Sequence, residues 1–489
     1  MKPDTPLRWT PREQLLAAAT CALFAATGLA LGLPQPASDD LMFSGAAISL
    51  ATGGGLRNPL LATQFGTAEF LVYPPFYFEL LGGWLRLTGV TTWAMLLFQQ
   101  AAYAIAGIAL TVWLRRRRLV GSLPWVWPAI FAGGLLAGLG QLGLRPDATG
   151  LAALLVGVVL RDAAATGWRF TGWLLIGGSM LISPHMLVVG TGLVLGQQLL
   201  DEPHRSKPVA EWKYVLSAAA LLFVLFLLSI GGRLGEFLEA LQHHASRTSM
   251  HPLVALGVCL DHWSSNVGRA FAVVALGVTL AAAALAVARG AGRTFFAALF
   301  VTAATITTSG VLDVAVHHLR LTLVILWTLA CAAWLLTCDK RLSWTPVVAA
   351  IVALVWDMRA DFGALGPRGR PDPAQIQEVI AMVAREPQRR YLIDPFAARH
   401  VFDYRLPSNA RNWTFGRPFP RMWPGSLGDL QPDETWIISG YNLCMIEPDS
   451  APPLETIFTL FGRSLTRRSG DYTLHMFDGR SPVRSTPAQ

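Results

Sequence analysis

The chain has 489 residues, of which 53% are hydrophobic and only 14% are charged. A soluble domain carries about 25% charged residues, so this composition excludes a protein that is soluble along its whole length. The net charge of +8 lies largely in short segments between apolar runs. Basic residues in such segments set membrane orientation, and we therefore predict no nucleic-acid partner. The sequence instead predicts a mainly α, polytopic helical membrane protein.

Apolar windows close to the roughly 20 residues that cross a bilayer recur along the chain and predict about 11 transmembrane helices. The first window is long enough to be a permanent membrane helix, so we predict no cleavable signal peptide there. The predicted spans are 14–33, 93–114, 125–143, 147–160, 170–182, 185–200, 214–231, 267–287, 294–312, 316–337 and 344–358.

One further apolar segment, 71–87 (LVYPPFYFELLGGWLRL), contains two prolines, a glutamate and an arginine. If it crossed the membrane, the basic run 115–118 would fall on the side opposite the basic N-terminus. If it lies along the interface as an amphipathic helix, every basic cluster between spans falls on one face. The positive-inside rule favours the interfacial placement. The loop 34–92 and everything after residue 358 then lie on the outer side.

The composition changes near residue 359, where the long apolar runs stop. We therefore predict two domains, a transmembrane domain over 1–358 and a small extracytoplasmic α/β domain over 359–489. The second should contain a helix within 368–390 and, by their short apolar or alternating patterns, three strands. These predicted strands are 390–394 (RYLID), 434–440 (ETWIISG) and 471–477 (DYTLHMF).

Ionisable residues collect on the predicted outer face, near the ends of spans. Such groups are costly near a membrane, so they usually line a cavity or mark a function. Carboxylates can act as general bases, while arginine and histidine can hold a phosphate. These residues are Asp39, Asp40, Asp147, His185, His317, His318 and Arg320.

Simpler interpretations of the same residues stay open. The acid pair Asp39 and Asp40 could cap a helix that begins near Leu41. Asp147, which follows a proline, could be an acid favoured at a helix N-terminus. The histidines could be satisfied polar groups or the snorkelling ends of spans.

The order of these motifs resembles the GT-C superfamily of membrane glycosyltransferases. That superfamily includes the protein O-mannosyltransferases, the lipid A aminoarabinose transferases and RgtA-like enzymes. The resemblance rests on a first span followed by an acid pair (SDD), an amphipathic stretch (LMFSGAAISLATGG) and a Pro-Pro-aromatic segment (YPPFYFELLGGWLRLTG). It continues with an acid at the start of a later span (RPDATGLAALLVG) and a late polar span opening (VHHLRLTLVI). The fold implied is GT-C-like, with amphipathic juxtamembrane helices in the first outer loop.

The resemblance implies an inverting transfer of a sugar from a polyprenyl-phosphate carrier to a glycan, lipid or protein acceptor. Asp39 would be the general base, with Asp40 beside it. Asp147 would complete the acid constellation or hold the acceptor. The family pair is commonly Asp-Glu, so the shorter Asp40 reaches less far here. The site would face the periplasmic side of a bacterial inner membrane.

The resemblance also implies a group of side chains around the phosphate of the donor. In many relatives a lysine lies between two short spans, and His185 of SPHM stands at that position here. No metal-ligand spacing is present among the five cysteines, so no metal site is predicted and a divalent cation is left open. The donor-phosphate residues would be His317, His318, Arg320, His185 and Arg57.

Two rival functions stay open. A transporter or flippase would be supported by inverted repeats and broken helices, and no repeat is visible in the sequence. A ligase that takes oligosaccharides from a lipid diphosphate would rely on arginines and histidines around a large outer loop. The loop 232–266, with His243, His244, Arg247 and His251, is compatible with that ligase.

Overall fold

The structure is a computed structural model of the whole chain. It describes residues 10–30, 32–33, 40–58, 69–71, 73–116, 144–163, 165–184, 186–187, 190, 208–248, 373–393, 395–407, 409–412, 433–439 and 474–478.

The described part is mainly helical. The helices are α1 (Pro11–Ala30), α2 (Asp40–Ala51), α3 (Phe76–Thr88), α4 (Thr92–Arg116), α5 (Asp147–Arg161), α6 (Thr166–Ile182), α7 (Pro208–Ser229), α8 (Leu234–Thr248), α9 (Pro373–Arg385) and α10 (Pro395–His400). The strands are β1 (Arg390–Ile393), β2 (Ala410–Asn412), β3 (Glu434–Ser439) and β4 (Leu474–Asp478).

Three of the described helices are long and apolar enough to cross a membrane: Pro11–Ala30, Thr92–Trp113 and Glu211–Ser229. Their length and composition indicate a membrane protein, as the sequence predicted. The shorter segments 147–160 and 170–182 form helices α5 and α6, and their membrane crossing stays a prediction. Of the span predicted at 185–200, only Met186, Leu187 and Gly190 are described. The remaining predicted spans, 125–143, 267–287, 294–312, 316–337 and 344–358, lie outside the described residues.

The two short helices of the first predicted loop differ in character. Helix α3 has 13 residues, too few for the roughly 20 that span a bilayer, and it is amphipathic, with Tyr77 and Leu85 buried and Leu87 exposed. Helix α2 was expected to be amphipathic as well. Its residues from Asp40 to Ser44 are all buried, which covers every side of its first turn. The first turn of α2 is therefore packed on all sides. Its apolar residues do not fall on one stripe, so this helix is not amphipathic.

The segment 232–266, predicted as a loop, contains helix α8. Apolar residues in its first turns recur at helical spacing between glutamates, which is the pattern of an amphipathic helix. Phe237 is buried and meets Phe226 of α7 edge to face, with 4.9 Å between ring centroids. This contact holds the start of α8 against the end of the preceding apolar helix.

The chain divides into two compact units, and each is built from segments that are distant in sequence. The first comprises Met1–Gln35, Leu71–Leu80 and Leu96–Arg359, and the second Pro36–Phe70, Leu81–Met95 and Ala360–Gln489. Part of the first predicted loop thus belongs to the same unit as the C-terminal segment. The predicted domain division at residues 358 and 359 stays a prediction.

In the first unit, glycines allow helices α5 and α6 to approach closely. A Cβ atom at Gly172 would lie 2.7 Å from the carbonyl oxygen of Gly157, and one at Gly150 would lie 2.8 Å from Met186. Real Cβ atoms do not occur at such distances. The two helices therefore form a tight antiparallel hairpin that fixes the start of α5 beside the end of α6.

The second unit contains a four-stranded mixed sheet in the order β2-β1-β3-β4. Strand β1 is parallel to β2 and β3, and β4 is antiparallel to β3. Tyr391, Ile393 and Ile437 are fully buried in this sheet. The three predicted strands and the helix predicted within 368–390 are present, while β2 was not predicted. Helix α10 contacts both β3 and α2, so it joins the sheet to the first loop.

Candidate active site

Asp40 is the first residue of α2 and is almost completely buried, with 1% of its surface exposed. Its carboxylate oxygen Oδ2 accepts a hydrogen bond of 2.8 Å from the hydroxyl of Tyr404, which lies 364 residues later in the chain. Tyr404 is itself buried. Both residues belong to the second unit. The acid is thus held inside the protein by a side chain from the C-terminal segment.

Tyr404 lies in a turn that directly follows α10 and has an unusual backbone. Asp403 and Tyr404 both adopt positive φ angles, 51° and 59°. Residues other than glycine rarely occur there, and each such residue costs on the order of 1–3 kcal/mol. Strained backbone of this kind persists only where surrounding contacts fix it, and both side chains of the turn make such contacts.

The second of these contacts reaches α4. A carboxylate oxygen of Asp403 accepts a hydrogen bond of 2.5 Å from the backbone N–H of Thr92, the first residue of α4. The neighbouring Thr91 hydroxyl accepts the N–H of Ala94. These bonds satisfy N–H groups that a helix start leaves unpaired. The turn therefore contacts the first residues of two helices, α2 through Tyr404 and α4 through Asp403.

Electrostatics keep the Tyr404 hydroxyl protonated. Burial raises the pKa of Tyr404 well above its ordinary value of 10.0, and the negative charge of Asp40 raises it further, while nearby Arg399 opposes the shift. A neutral phenol can donate its proton to a carboxylate, whereas a phenolate cannot. The hydrogen bond to Asp40 is therefore available throughout the physiological pH range.

Helix α2 is also held from its flanks. The buried Asn58 amide donates to the carbonyl oxygens of Leu41 and Met42, at 3.0 and 2.9 Å. It can approach because Gly45 has no side chain, since a Cβ there would lie 2.6 Å from the Asn58 amide. At the other end, the Arg86 guanidinium donates to the carbonyl oxygen of Leu50. The first turn of α2 is therefore rigidly placed in its unit.

Asp147 belongs to the first unit and has a different set of partners. It is the first residue of α5 and is 2% exposed. Its Oδ2 atom accepts a hydrogen bond of 2.9 Å from Nε of Arg145, and its Oδ1 atom accepts one of 2.8 Å from the Ser183 hydroxyl. Arg145 is buried, and its carbonyl oxygen accepts a hydrogen bond from Gln99 of α4. Asp147 thus forms a buried ion pair at the start of α5 and, through Ser183, a hydrogen bond with the residue after α6.

The structure describes three of the predicted site residues. Asp40 and Asp147 are buried, with the partners given above, and they lie in different units. Arg57 is exposed, and its backbone forms an antiparallel bridge with Glu69. The others, Asp39, His185, His317, His318 and Arg320, lie outside the described residues. In that described part, no group of three His, Cys, Asp or Glu side chains forms a possible metal site.

Three side chains that contact the acids or helix α2 were not predicted from sequence. Ser183 lies in the same LISPHML segment as His185 and could have been found there. Asn58 is one residue from Arg57 but carries no signal for contact with α2. Tyr404 stands in the ordinary stretch FDYRLP, and no local pattern connects it with Asp40.

Comparison of the chain with protein-family models, with curated proteins and with solved structures finds no match. The resemblance to the GT-C superfamily therefore rests on the sequence motifs and their order.

Proposed function

We propose that this protein is an inverting glycosyltransferase that moves a sugar from a polyprenyl-phosphate carrier to an extracytoplasmic acceptor at the membrane surface. The observation that supports it most is the placement of Asp40. An acid in a solvated turn would be exposed, yet Asp40 is 1% exposed and hydrogen bonded to Tyr404. Burying a carboxylate is costly unless it is hydrogen bonded, so its burial here supports a specific role for the acid pair of the first loop.

In the proposed reaction Asp39 is the general base. It accepts the proton of an acceptor hydroxyl as that oxygen attacks the anomeric carbon, and the bond from that carbon to the lipid phosphate breaks on the opposite face. A positioned carboxylate assists such a step by about 10²–10⁴-fold. The leaving phosphate carries the released electron pair, and cationic or hydrogen-bonding side chains stabilise its charge. We assign that role to His317, His318, Arg320, His185 and Arg57.

The two buried acids take supporting roles in this scheme. Asp40 directly follows the proposed base in the sequence. Its carboxylate accepts the hydrogen bond from Tyr404 and holds the start of α2. Asp147 has both carboxylate oxygens occupied, by Arg145 and Ser183. With these partners Asp147 stabilises the first turn of α5, or it contributes to acceptor binding through Arg145 and Ser183. The three long apolar helices keep the enzyme in the bilayer that also holds the lipid tail of the donor.

The proposal is tested with membrane vesicles that contain the full chain and a set of radiolabelled polyprenyl-phosphate hexoses and pentoses. We expect sugar transfer by the wild type and a loss of about 10²–10⁴-fold in Asp39→Asn. The matched control is Asp162→Asn, which alters the C-cap of α5 and should retain activity. Unchanged transfer by the Asp39 variant would overturn the assignment of the base.

The rival functions predict other results in the same vesicles. A ligase would transfer oligosaccharide only from a lipid diphosphate. A flippase would move labelled lipid across the bilayer without forming a glycosylated product. Either result would replace the proposed activity.

A further inference from the structure

We propose that Tyr404 is a positioning residue for the acid pair of the first loop, so that the C-terminal segment completes the catalytic site. Its hydroxyl holds the carboxylate of Asp40, the first residue of α2, which directly follows Asp39 in the sequence. This inference rests on the proposed glycosyltransfer and deepens it, since it names a residue that the motif pattern does not contain.

The contact itself is short and shielded. The Tyr404 oxygen is 2.8 Å from Oδ2 of Asp40, and the exposed fractions of the two residues are 3% and 1%. Hydrogen bonds to carboxylates are stronger than bonds between neutral groups. Water competes little for a pair so deeply buried. The bond therefore restricts the rotation of the Asp40 side chain and the first turn of α2.

The backbone of the turn at Asp403 and Tyr404 places both side chains in contact with helix starts. Two consecutive residues at positive φ aim one side chain at α2 and the other at α4, where Asp403 accepts the N–H of Thr92. Helix α10, immediately before the turn, contacts both α2 and β3. The position of Tyr404 is thus fixed by the sheet on one side and by two helix starts on the other.

The charges around Tyr404 favour the same role. The groups that act on its hydroxyl are Asp40 from α2, Arg399 from α10 and Asp403 from the turn. Burial and the two carboxylates raise the pKa of Tyr404. The phenol therefore still carries its proton at the pH values at which a carboxylate base is ionised. The Tyr404 hydroxyl therefore keeps donating to Asp40 and holds that side chain in one orientation.

The consequence concerns the role of residues 360–489. A domain that only selects the acceptor could be altered without changing the turnover of a bound acceptor. A segment that positions the acid pair changes turnover itself. The two roles are separated by a change in kcat with little change in KM.

The kinetic test uses the full chain in vesicles with the polyprenyl-phosphate sugar that the wild type accepts. Tyr404→Phe removes only the hydroxyl and should lower kcat by about 10–100-fold, equivalent to about 1.4–2.8 kcal/mol, with the KM for donor within about twofold. The acidic limb of the pH profile of kcat should also shift, because the charge next to the base loses its donor. Wild-type kcat with an unchanged pH profile would overturn the inference.

The matched control is Tyr391→Phe. Tyr391 is fully buried in the same unit, and its hydroxyl donates to the carbonyl oxygen of Glu386 within the C-terminal segment. This variant loses a hydroxyl of the same kind without altering a contact with α2, and its kcat should stay near the wild-type value. An equal loss in Tyr391→Phe would assign the effect to general destabilisation and overturn the positioning role.

A labelling experiment separates this inference from the proposed function. A water-soluble carbodiimide with an amine nucleophile modifies accessible carboxyl groups, and mass spectrometry locates the label. Asp40 should be protected in the wild type and in Tyr391→Phe, and several-fold more reactive in Tyr404→Ala. If the wild type transfers no sugar, the proposed function fails while protection by Tyr404 is still measured. Equal labelling of Asp40 in Tyr404→Ala and the wild type would show that Tyr404 does not hold it.

Discussion

Asp40 and Asp147 are two buried acids that each begin a helix, yet their partners come from very different distances along the chain. Asp147 pairs with Arg145, two residues before it, and with Ser183, 36 residues after it. Asp40 is bonded to Tyr404, 364 residues away. The start of α5 is therefore stabilised by its own helical hairpin, whereas the start of α2 depends on the C-terminal segment. The same sequence feature, an acid at a helix start, supports two different structural roles.

The largest expected effect concerns the ion pair of Asp147. Asp147→Ala leaves the buried charge of Arg145 without its carboxylate, and breaking a buried pair in this way costs about 3–5 kcal/mol. The unfolding free energy in mixed detergent micelles measures the loss. Ser183→Ala removes a single hydrogen bond to the same carboxylate and should cost less, about 1.5–3 kcal/mol. Equal losses would mean that the ion pair is not the main interaction.

The Asp147 comparison is sharpened by replacing both partners. Arg145→Met combined with Asp147→Leu removes the buried charges together, and such replacements are often neutral or stabilising. If the pair has only a structural role, the double variant recovers most of the stability and retains sugar transfer. Recovered stability with lost transfer would assign Asp147 or Arg145 to the reaction.

The next largest effect concerns the hydrogen bond between Tyr404 and Asp40. Tyr404→Phe should make local opening of α2 easier by about 1.5–3 kcal/mol, because the lost bond ends on a charged group. Hydrogen exchange of the α2 amides measures that opening, and the α5 amides of the same sample report any global loss. Unchanged exchange in α2 would mean that the start of this helix does not depend on the C-terminal segment.

The third effect is a dependence on alkaline pH. Because the pKa of Tyr404 is raised in the folded protein, its contribution is complete below the unfolded-state pKa of about 10. Above that pH only the unfolded state releases the proton, and stability falls by about 1.4 kcal/mol per pH unit. Thermal unfolding between about pH 9 and pH 12 should show this slope in the wild type. Tyr391→Phe should retain it and Tyr404→Phe should lose it, so parallel curves for all three would contradict the prediction.

The smallest effect isolates the charge of Asp403. Asparagine tolerates the same backbone region and still accepts the N–H of Thr92. Asp403→Asn therefore removes the attraction between a carboxylate and a helix start, together with the exposed ion pair to Arg405, which contributes little. That attraction is about 0.3–1 kcal/mol, measured as faster hydrogen exchange in the first turn of α4. The control is Asp433→Asn, because the carboxylate of Asp433 pairs with the half-exposed Arg390 in the same unit. Unchanged exchange in the first turn of α4 in Asp403→Asn, or an equal change in Asp433→Asn, would mean that the charge of Asp403 adds nothing to α4.

Elements with strong local patterns could be predicted from the sequence. Helices α1, α4 and α7 follow from apolar runs long enough to cross a bilayer, and strands β1 and β3 from short buried runs. Their boundaries differ from the prediction by a few residues, because end residues fray and cap in ways that hydropathy does not encode. These elements are determined by the composition of each segment alone.

Elements that depend on partners were missed. Strand β2 has three residues, Ala410–Asn412, and becomes a strand only through parallel pairing with β1. Helix α10 is six residues long, too short to be stable without the contacts that it makes with β3 and α2. Helix α2 was expected to bury one face but is enclosed over its first turn, because its neighbours are contributed by segments far away in the chain.

The sequence by itself determined that this is a membrane protein and that acids occur at the starts of α2 and α5. Long apolar runs and an acid beside a helix start are local patterns, and the free energies behind them act within one segment. Only the tertiary structure decided which partner each acid has. The pairing of Asp40 with Tyr404 brings together residues whose sequence separation carries no periodic signal, so it arises from packing of distant segments within the second unit.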